Sequence, residues 1–319
     1  MTRNVGILGG GPAGLSAAIA AQQAGANVSL IERSHLPRHK VCGEFLSPEI
    51  APALERLGVL GEFYKLQPAR ISRMLVRIGR SEKVSPLQEP AYGLSRFEFD
   101  HLLFRKVEAG NGEAPATVIA SGRRTGAAEK GERLFGFKAH FAGPCHDAVE
   151  LYFFDGCYVG INPVERGITN VCGLGPERCL KAHDFEIDSL LDCCQALRRR
   201  LEPLNRAMQW LFTGPLEFQN QLRTAGNTYL AGDALSFVDP FTGSGILSAV
   251  LTGTLAGMHA ANGTPVKAHL QACRATLARP FSVSSALRWI AGTAWAEPLL
   301  TLVPGQMLFH FTRPRYTAI

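Results

Sequence analysis

No apolar run in this sequence reaches the ~20 positions that a membrane-spanning helix needs; the most apolar stretches, such as Ile246 to Ala261, fall short. Cys-x-x-C pairs are also missing. The eight cysteines (Cys42, Cys145, Cys157, Cys172, Cys179, Cys193, Cys194 and Cys273) lack the paired, His-matched spacing of a zinc site. They read as buried thiols of a reducing compartment. Aromatic residues make up 8% of the chain and interleave with no basic stretch, which argues against nucleic acid as a partner. The net charge of 33 − 27 = +6 is scattered, and its tightest run, Arg198 to Arg200, reads as a solvated helix face. The first strand begins almost at Met1 and leaves no room for a leader peptide, so the expected location is the cytoplasm. Internal repeats and low-complexity tracts are absent, and oligomeric state has no signal.

The informative part of the chain begins at Gly6. Val5, Ile7 and Leu8 form an apolar strand that enters Gly9, Gly11 and Gly14 at G-x-G-x-x-G spacing, and an Ala-rich helix comes next over Leu15–Ala24. This is the strand, turn and helix start on which a dinucleotide pyrophosphate rests. Gly9 permits the tight turn, Gly11 lets phosphates approach the backbone, and Gly14 allows close helix–strand packing. Pro12 suits the first helical turn, where its missing N–H is no loss. Gly25 ends the helix, and a second strand, Asn27–Ile31, runs into Glu32. That acid stands 32 − 14 = 18 positions after Gly14, near the ~20 of a carboxylate that holds ribose hydroxyls.

Further along, the pattern predicts a helix over Pro48–Leu57, a strand over Ser72–Ile78, a helix over Phe97–Val107 and a strand over Ala116–Ala120. An antiparallel meander comes after these, with strands at Phe135–Phe141, Val149–Phe154, Cys157–Ile161 and Ile168–Leu174. Helices are expected over Phe185–Trp210, a strand over Thr228–Ala231, and a helix from Ile246 to about Ala260. Gly253 and Gly257, four apart on that helix, would let it lie against another backbone. The remainder to Ile319 reads as helical and apolar, interrupted at Pro298 and Pro304.

Gly232-Asp233-Ala234 succeeds a strand, and Asp239-Pro240 leads through Gly243-Ser244-Gly245 into a helix at Ile246. A carboxylate such as Asp233 at a strand end can hold the hydroxyls of a ribityl chain. The helix start at Gly245 offers N–H donors and a positive dipole end, which stabilise negative charge on a reduced flavin ring. NAD has no ribityl chain, so the dinucleotide expected is FAD.

Together these parts resemble the flavoprotein superfamily of p-hydroxybenzoate hydroxylase and geranylgeranyl reductase over most of the chain. Gly9/Gly11/Gly14 with Glu32 is similar to its ADP-binding motif. Ser121-Gly122-Arg123-Arg124-Thr125 is similar to its middle motif, with Ser121 where Asp is usual, and Gly232-Asp233-Ala234 with Asp239-Pro240 to its ribityl motif. Pro37-Arg38-His39-Lys40-Val41-Cys42-Gly43-Glu44 most resembles the geranylgeranyl reductase branch, in which a Lys-x-Cys-Gly segment runs beside the isoalloxazine. The resemblance implies cofactor contacts from Gly9, Gly11, Pro12, Ala13, Gly14, Glu32, Arg33, Lys40, Cys42, Gly43, Arg96, Gly122, Gly232, Asp233, Asp239, Pro240, Gly243, Ser244, Gly245 and Ile246. Cys42 would be a catalytic proton donor or a positioning group, or else a small residue packed in a loop. Tyr158, Asn162 and Pro163 would line the substrate side, or form a plain strand end. Only about twenty-five residues separate Arg96 from Gly122, so the adenine-side sheet should be trimmed.

The implied fold is α/β. A discontinuous Rossmann-type FAD-binding domain (residues 1–70, 94–128 and 222–262) joins an antiparallel-sheet substrate domain (71–93 and 129–221) and a C-terminal helical cover (263–319). The implied activity is that of an FAD-dependent oxidoreductase reducing a C=C bond of an apolar small molecule, with NADPH or another electron donor. Its alternatives are a monooxygenase hydroxylating an aromatic or polyketide-like substrate, and a non-catalytic flavin-binding remnant. Trp210, Trp289 and Trp295 lie too far apart for the Trp-x-Trp pattern of flavin halogenases. Arg279, Arg288, Arg313 and Arg315 stand among apolar residues, so the C-terminal helices either cover the cavity or touch a membrane surface peripherally.

Overall fold

The structure is a computed structural model that describes residues 2–108, 114–123, 133–216, 222–223, 225–237 and 243–277. β1 (Asn4–Leu8), α1 (Pro12–Gln23) and β2 (Asn27–Ile31) form the expected strand–helix–strand unit. The two strands pair in parallel from Asn4↔Asn27 to Leu8↔Ile31. Val5, Gly6 and Ile7 are all buried, as a central parallel strand covered on both faces must be. α1 begins at Pro12, one turn before the expected Leu15, because proline fits the first helical position. Every residue from Pro12 to Ala21 is buried; alanines along the helix let neighbours approach it from all sides. The helix stops where Gly25 takes φ +81° and its N–H bonds the Gln22 carbonyl at 2.9 Å.

β3 (Phe45–Leu46), α2 (Ile50–Arg56) and α3 (Leu60–Lys65) come next. α2 is closed at Gly58 (φ +67°), as expected from the sequence; α3, which buries Phe63, is an addition. β4 (Ala69–Ile78) turns at Gly79 into β5 (Ser81–Gly93). The sequence pattern hides β5 because Pro86 and Pro90 interrupt it. They are tolerated because β5 pairs with β3 only at Tyr92 and Gly93, which leaves the proline stretch as a free edge. α4 (Arg96–Phe104) is capped by Ser95, whose Oγ accepts the Glu98 N–H at 3.2 Å.

After β6 (Ala116–Ile119) come β7 (Leu134–Ala142), β8 (Ala148–Phe154), β9 (Cys157–Val164) and β10 (Ile168–Pro176), the four expected strands. Their order corrects the meander. β8, β9 and β10 pair in succession, but β7 lies beside β10. β8 in turn pairs in parallel with β4, so the β4–β5 hairpin extends this second sheet, and the expected boundary at residue 70/71 falls inside β4. The helical reading of Phe185–Trp210 holds through Leu201 and is corrected beyond it. α5 (Glu177–Ala182), α6 (Ile187–Asp192) and α7 (Gln195–Leu201) are short, and β11 (Asn205–Arg206) and β12 (Leu211–Leu216) pair with β7. Each helix presents only a turn or so of apolar residues: Leu180, then Ile187, Leu190 and Leu191, then Leu197. These pack on Phe137, Phe141, Val159, Ile161 and Val171 of the sheet.

By the period-two rule, the opposite face of that sheet carries Lys138 and His140 of β7, Asn170 and Cys172 of β10, and Tyr158 and Asn162 of β9. On the helical face, buried Glu150 accepts from Arg200 Nε and from the Tyr152 hydroxyl, each at 2.8 Å, and ties α7 to the sheet.

β13 (Tyr229–Leu230) completes the first sheet in the parallel order β13-β6-β1-β2. That sheet has four strands among the described residues. α8 (Gly245–Asn262) packs along α1 and ends at Gly263 in the left-handed region (φ +68°). Residues 266–277 are helical. Their Cys273 and Leu277 pack on Leu230, Leu235 and Leu255, so this part of the C-terminal cover lies on β13 and α8. Residues 278–319 are outside the described residues, and with them Arg279, Arg288, Arg313, Arg315, Trp289 and Trp295. Among the described residues no helix is long and apolar enough to cross a membrane.

Candidate functional site

Gly9, Ser121 and Gly232 each stand just past the carboxyl end of a strand of the parallel sheet, β1, β6 and β13 respectively. That is where open α/β sheets bind ligands. The glycine turn is shaped by close approach. A Cβ added at Gly9 (φ +111°) would overlap the Ala120 carbonyl, and one at Gly14 would overlap the Gly9 carbonyl. At Gly11 the nearest atoms would instead be the Arg96 guanidinium at 3.7 Å and the Lys40 ammonium at 4.0 Å. Two cations therefore face the turn at the residue where a phosphate would approach the backbone.

Both cations are held from behind by Asp100, which is fully buried. Arg96 Nε and Nη2 each donate to it at 2.8 Å, a bidentate pair across one turn of α4, and Lys40 Nζ lies 4.0 Å away. Burial acts to lower the Arg96 pKa, but the Asp100 charge and hydrogen bonds, with help from Cys42, outweigh it and hold the group firmly protonated. Burial and the neighbouring Arg96 charge lower the Lys40 pKa, against the pull of Asp100.

Glu32 braces the turn from the other side. Its Oε2 accepts the Gly10 N–H at 2.6 Å and its Oε1 the Ser34 N–H at 2.9 Å. Burial would raise its pKa, yet these hydrogen bonds and the charges of Lys40 and Arg38 leave it below the ordinary value. The carboxylate keeps lone pairs for a further donor.

The third segment meets the same place. A Cβ at Gly232 (φ +57°) would come within 2.8 Å of the Ala13 Cβ, so Gly232-Asp233 abuts the glycine turn. Burial raises the Asp233 pKa, while Arg123, Arg96 and Lys40 pull it down. Arg123 bonds the Thr213 hydroxyl and lies 5.4 Å over the Phe237 ring. Asp233 thus lies in the field of all three cations. Gly243 (φ +62°) and buried Ser244 lead into Gly245, where an added Cβ would meet nothing among the described residues; the Ser244 side chain makes no capping hydrogen bond to α8. Ile246 is buried beneath. Asp239 and Pro240 lie outside the described residues.

The Lys40–Glu44 loop crosses the face of the second sheet. Asn170 Nδ2 donates to the Cys42 and Gly43 carbonyls at 3.2 and 2.9 Å. Glu44, buried and at φ +53°, accepts from the Lys138 ammonium, from His140 Nε2 at 2.6 Å and from the Arg96 N–H at 2.7 Å. Burial would raise its pKa, but these partners hold it below the ordinary value. Cys42 is half-buried next to Arg96, with the Glu44 N–H at 3.4 Å from its Sγ.

The structure thus brings Gly9, Gly11, Pro12, Ala13, Gly14, Glu32, Lys40, Cys42, Arg96, Gly232 and Asp233 together. Arg33 and Gly43 are exposed, and Gly122 (φ +77°) has open space around it. Tyr158 and Asn162 share one face of β9, roughly 13 Å apart along the strand. Pro163 points to the other face, its carbonyl against Gly93. They do not form one spot. Asp100 joins the site without a motif of its own, standing four residues after Arg96. Arg123 and Glu44 lie within segments the sequence singled out, whereas Lys138 and His140, which fasten the Cys42 loop through Glu44, carry no sequence signal.

Residues 2–106 match the family model described as FAD binding domain. Menaquinone reductase of Mycolicibacterium smegmatis is 41% identical over 56 residues, which are 18% of this chain and 14% of that protein. Among solved structures, a flavin-dependent brominase aligns with TM-score 0.77 at 18% identity, covering 98% of this chain and 93% of that one. A geranylgeranyl bacteriochlorophyll reductase-like protein from Thermoplasma acidophilum aligns with TM-score 0.69 at 19% identity, covering 97% and 91%. A myxobacterial chondrochloren halogenase aligns with TM-score 0.72 at 19% identity, covering 88% and 80%. Residues 2–106 therefore match an FAD-binding domain, and the chain as a whole shares the fold of these flavin-dependent halogenase and reductase-like structures.

Proposed function

We propose that the protein is an FAD-dependent oxidoreductase that oxidises an apolar small molecule in an oxygen-dependent reaction. The observation that carries the cofactor assignment is the meeting of Gly11, Arg96, Lys40 and Asp233 at one strand end. These residues fit FAD. The glycines leave room that any Cβ would fill, two cations face that room, and Asp233 stands where a polyol chain would need acceptors. Bound FAD supplies two-electron chemistry, passing electrons to dioxygen for oxygen insertion or as hydride to a C=C bond. Arg96 and Lys40 would bind the pyrophosphate, Glu32 the adenosine ribose, and Asp233 the ribityl hydroxyls. The Gly245 N–H and the dipole of α8 would hold negative charge at the ring. Cys42 would face the ring from the loop that Asn170 and Glu44 fasten to the sheet. Asn162, on that same sheet face, would border the substrate, and Tyr158, about 13 Å along the strand, would reach the far end of an elongated one.

Oxidation is favoured by the fold shared with flavin-dependent halogenases, since joining a halide to carbon is an oxidation. A second reading, C=C reduction, is favoured by the identity with menaquinone reductase and by the Lys40-x-Cys42-Gly43 segment. The test is single turnover of the FAD-loaded protein, reduced with dithionite and mixed with phenolic or quinone probes with and without oxygen. Product formation only in oxygen is the expected result. Product formed equally well without oxygen would overturn oxidation in favour of reduction. A protein that binds no FAD would overturn both.

A further inference from the structure

We infer that His39, His140 and Glu44 form a binding site for one divalent d-block cation, separate from the flavin cradle. One imidazole nitrogen from each histidine and one Glu44 oxygen lie within 4.8 Å of one another. Two imidazoles and a carboxylate are a ligand set that zinc takes with an open fourth position, and imidazole suits zinc, nickel and iron. Glu44 and His140 are buried while His39 is exposed, so the cluster has fixed ligands on the inside and an entrance on the outside. His39 is held at that entrance by stacking on Phe97, ring centroids 5.2 Å apart, and meets His140 edge-on at 5.1 Å.

The two carboxylate oxygens of Glu44 divide the work. Oε1 takes Lys138 and the Arg96 N–H, whereas Oε2 takes, among the described residues, His140 Nε2 alone, at 2.6 Å. A cation on Oε2 would replace that single hydrogen bond, with the His140 proton moving to Nδ1, and leave the ion pair with Lys138 in place. A second observation points the same way. Asn170 stands directly opposite His140 in the sheet register. Its Oδ1 is buried without a hydrogen-bond donor, although its Nδ2 is used twice. A water on the cation's open position is a donor of the kind this oxygen lacks. Occupancy would clamp the loop that carries Lys40 and Cys42 onto β7, because both His39 and Glu44 belong to that loop.

The Lys138 ammonium sits against the same carboxylate and opposes a second positive charge, so it weakens binding and gives the site a signature. The experiment titrates Zn2+ into chelator-treated full-length protein loaded with FAD, by calorimetry and by thermal shift. One equivalent should bind and raise the melting temperature. His39→Ala, a change at an exposed side chain, should weaken that event at least tenfold, and His140→Ala should abolish it. Lys138→Met should tighten it about tenfold. Zinc held by surface cysteines would be indifferent to all three and would overturn the assignment. No binding at 100 µM Zn2+ (roughly the concentration for a 10⁻⁴ M Kd), or binding unchanged in both histidine variants, would overturn the inference whatever reaction the flavin supports.

Discussion

Gly253 of α8 lies directly against the Ala13 backbone of α1, so close that a Cβ added to it would overlap the Ala13 carbonyl oxygen. Gly257 repeats the contact one turn on, at Ala17. Two helices meet backbone to backbone there. Ala13 also borders Gly232, so the contact that sets the helix spacing also sets the floor of the cofactor cradle.

Gly253→Ala and Gly257→Ala should each destabilise the protein by about 1–3 kcal/mol, the usual cost of overpacking. Thermal melts would show a lower midpoint for each. Gly61→Ala is the control: it stands in α3 with nothing within 4 Å, and it should be stabilising by roughly 0.5–1 kcal/mol. Equal stability of all three variants would contradict the packing described.

Arg96→Leu should leave Asp100 buried without its bidentate partner, a loss of about 3–5 kcal/mol in urea unfolding. Lys40→Ala removes the more distant cation. It should change the unfolding midpoint little while weakening FAD binding by about 10- to 100-fold, the range for a lost charge-assisted contact. Fluorescence titration with FAD would separate the two effects.

Glu32 gives a pH dependence with a definite sign. Its folded pKa lies below the ordinary value of 4.5, so the native state binds fewer protons than the unfolded one. Its contribution is complete above pH 4.5, and it fades as pH falls through the lowered folded value. Urea unfolding of the wild type and of Glu32→Gln, at neutral pH and again well below the ordinary carboxylate range, should show a smaller loss on acidification in the variant. An identical loss in both would mean that the Gly10 and Ser34 hydrogen bonds do not stabilise the charged form.

On the far face of the second sheet, Arg200→Ala should leave the buried Glu150 carboxylate to the Tyr152 hydroxyl and His146 and cost about 1.5–3 kcal/mol, the range for a lost charge-assisted hydrogen bond. Because this network touches neither Asp233 nor Arg96, FAD affinity should stay within about twofold of wild type at temperatures where the variant is folded. A large loss of affinity would mean that the two sheets are energetically coupled.

Legibility differed by element. β1, α1 and β2 are readable because each of their signals is local: Gly9, Gly11 and Gly14 fix a turn, alanine content marks the helix after it, and an apolar run marks the second strand. β5 is not readable, since whether Pro86 and Pro90 break a strand depends on which edge of it is free. α6 and α7 are not separable from one long helix, because the apolar residues that would mark their ends face a sheet the sequence does not display. The same holds at the site. Gly11 and Asp233 announce themselves, whereas Asp100 and Lys138 acquire a role only from where α4 and β7 arrive.

By itself the sequence determined the dinucleotide unit, its glycine turn and its acidic partner Glu32, because those depend on backbone conformation and spacing within about thirty residues. Tertiary structure alone decided that β7 lies beside β10 and that Asp233 reaches the turn after β1. It also decided that Glu44 buries its charge between Lys138 and His140. Those relations depend on strand register and on burial between segments far apart in the chain, where no spacing rule operates and only the shared loss of water selects the partner.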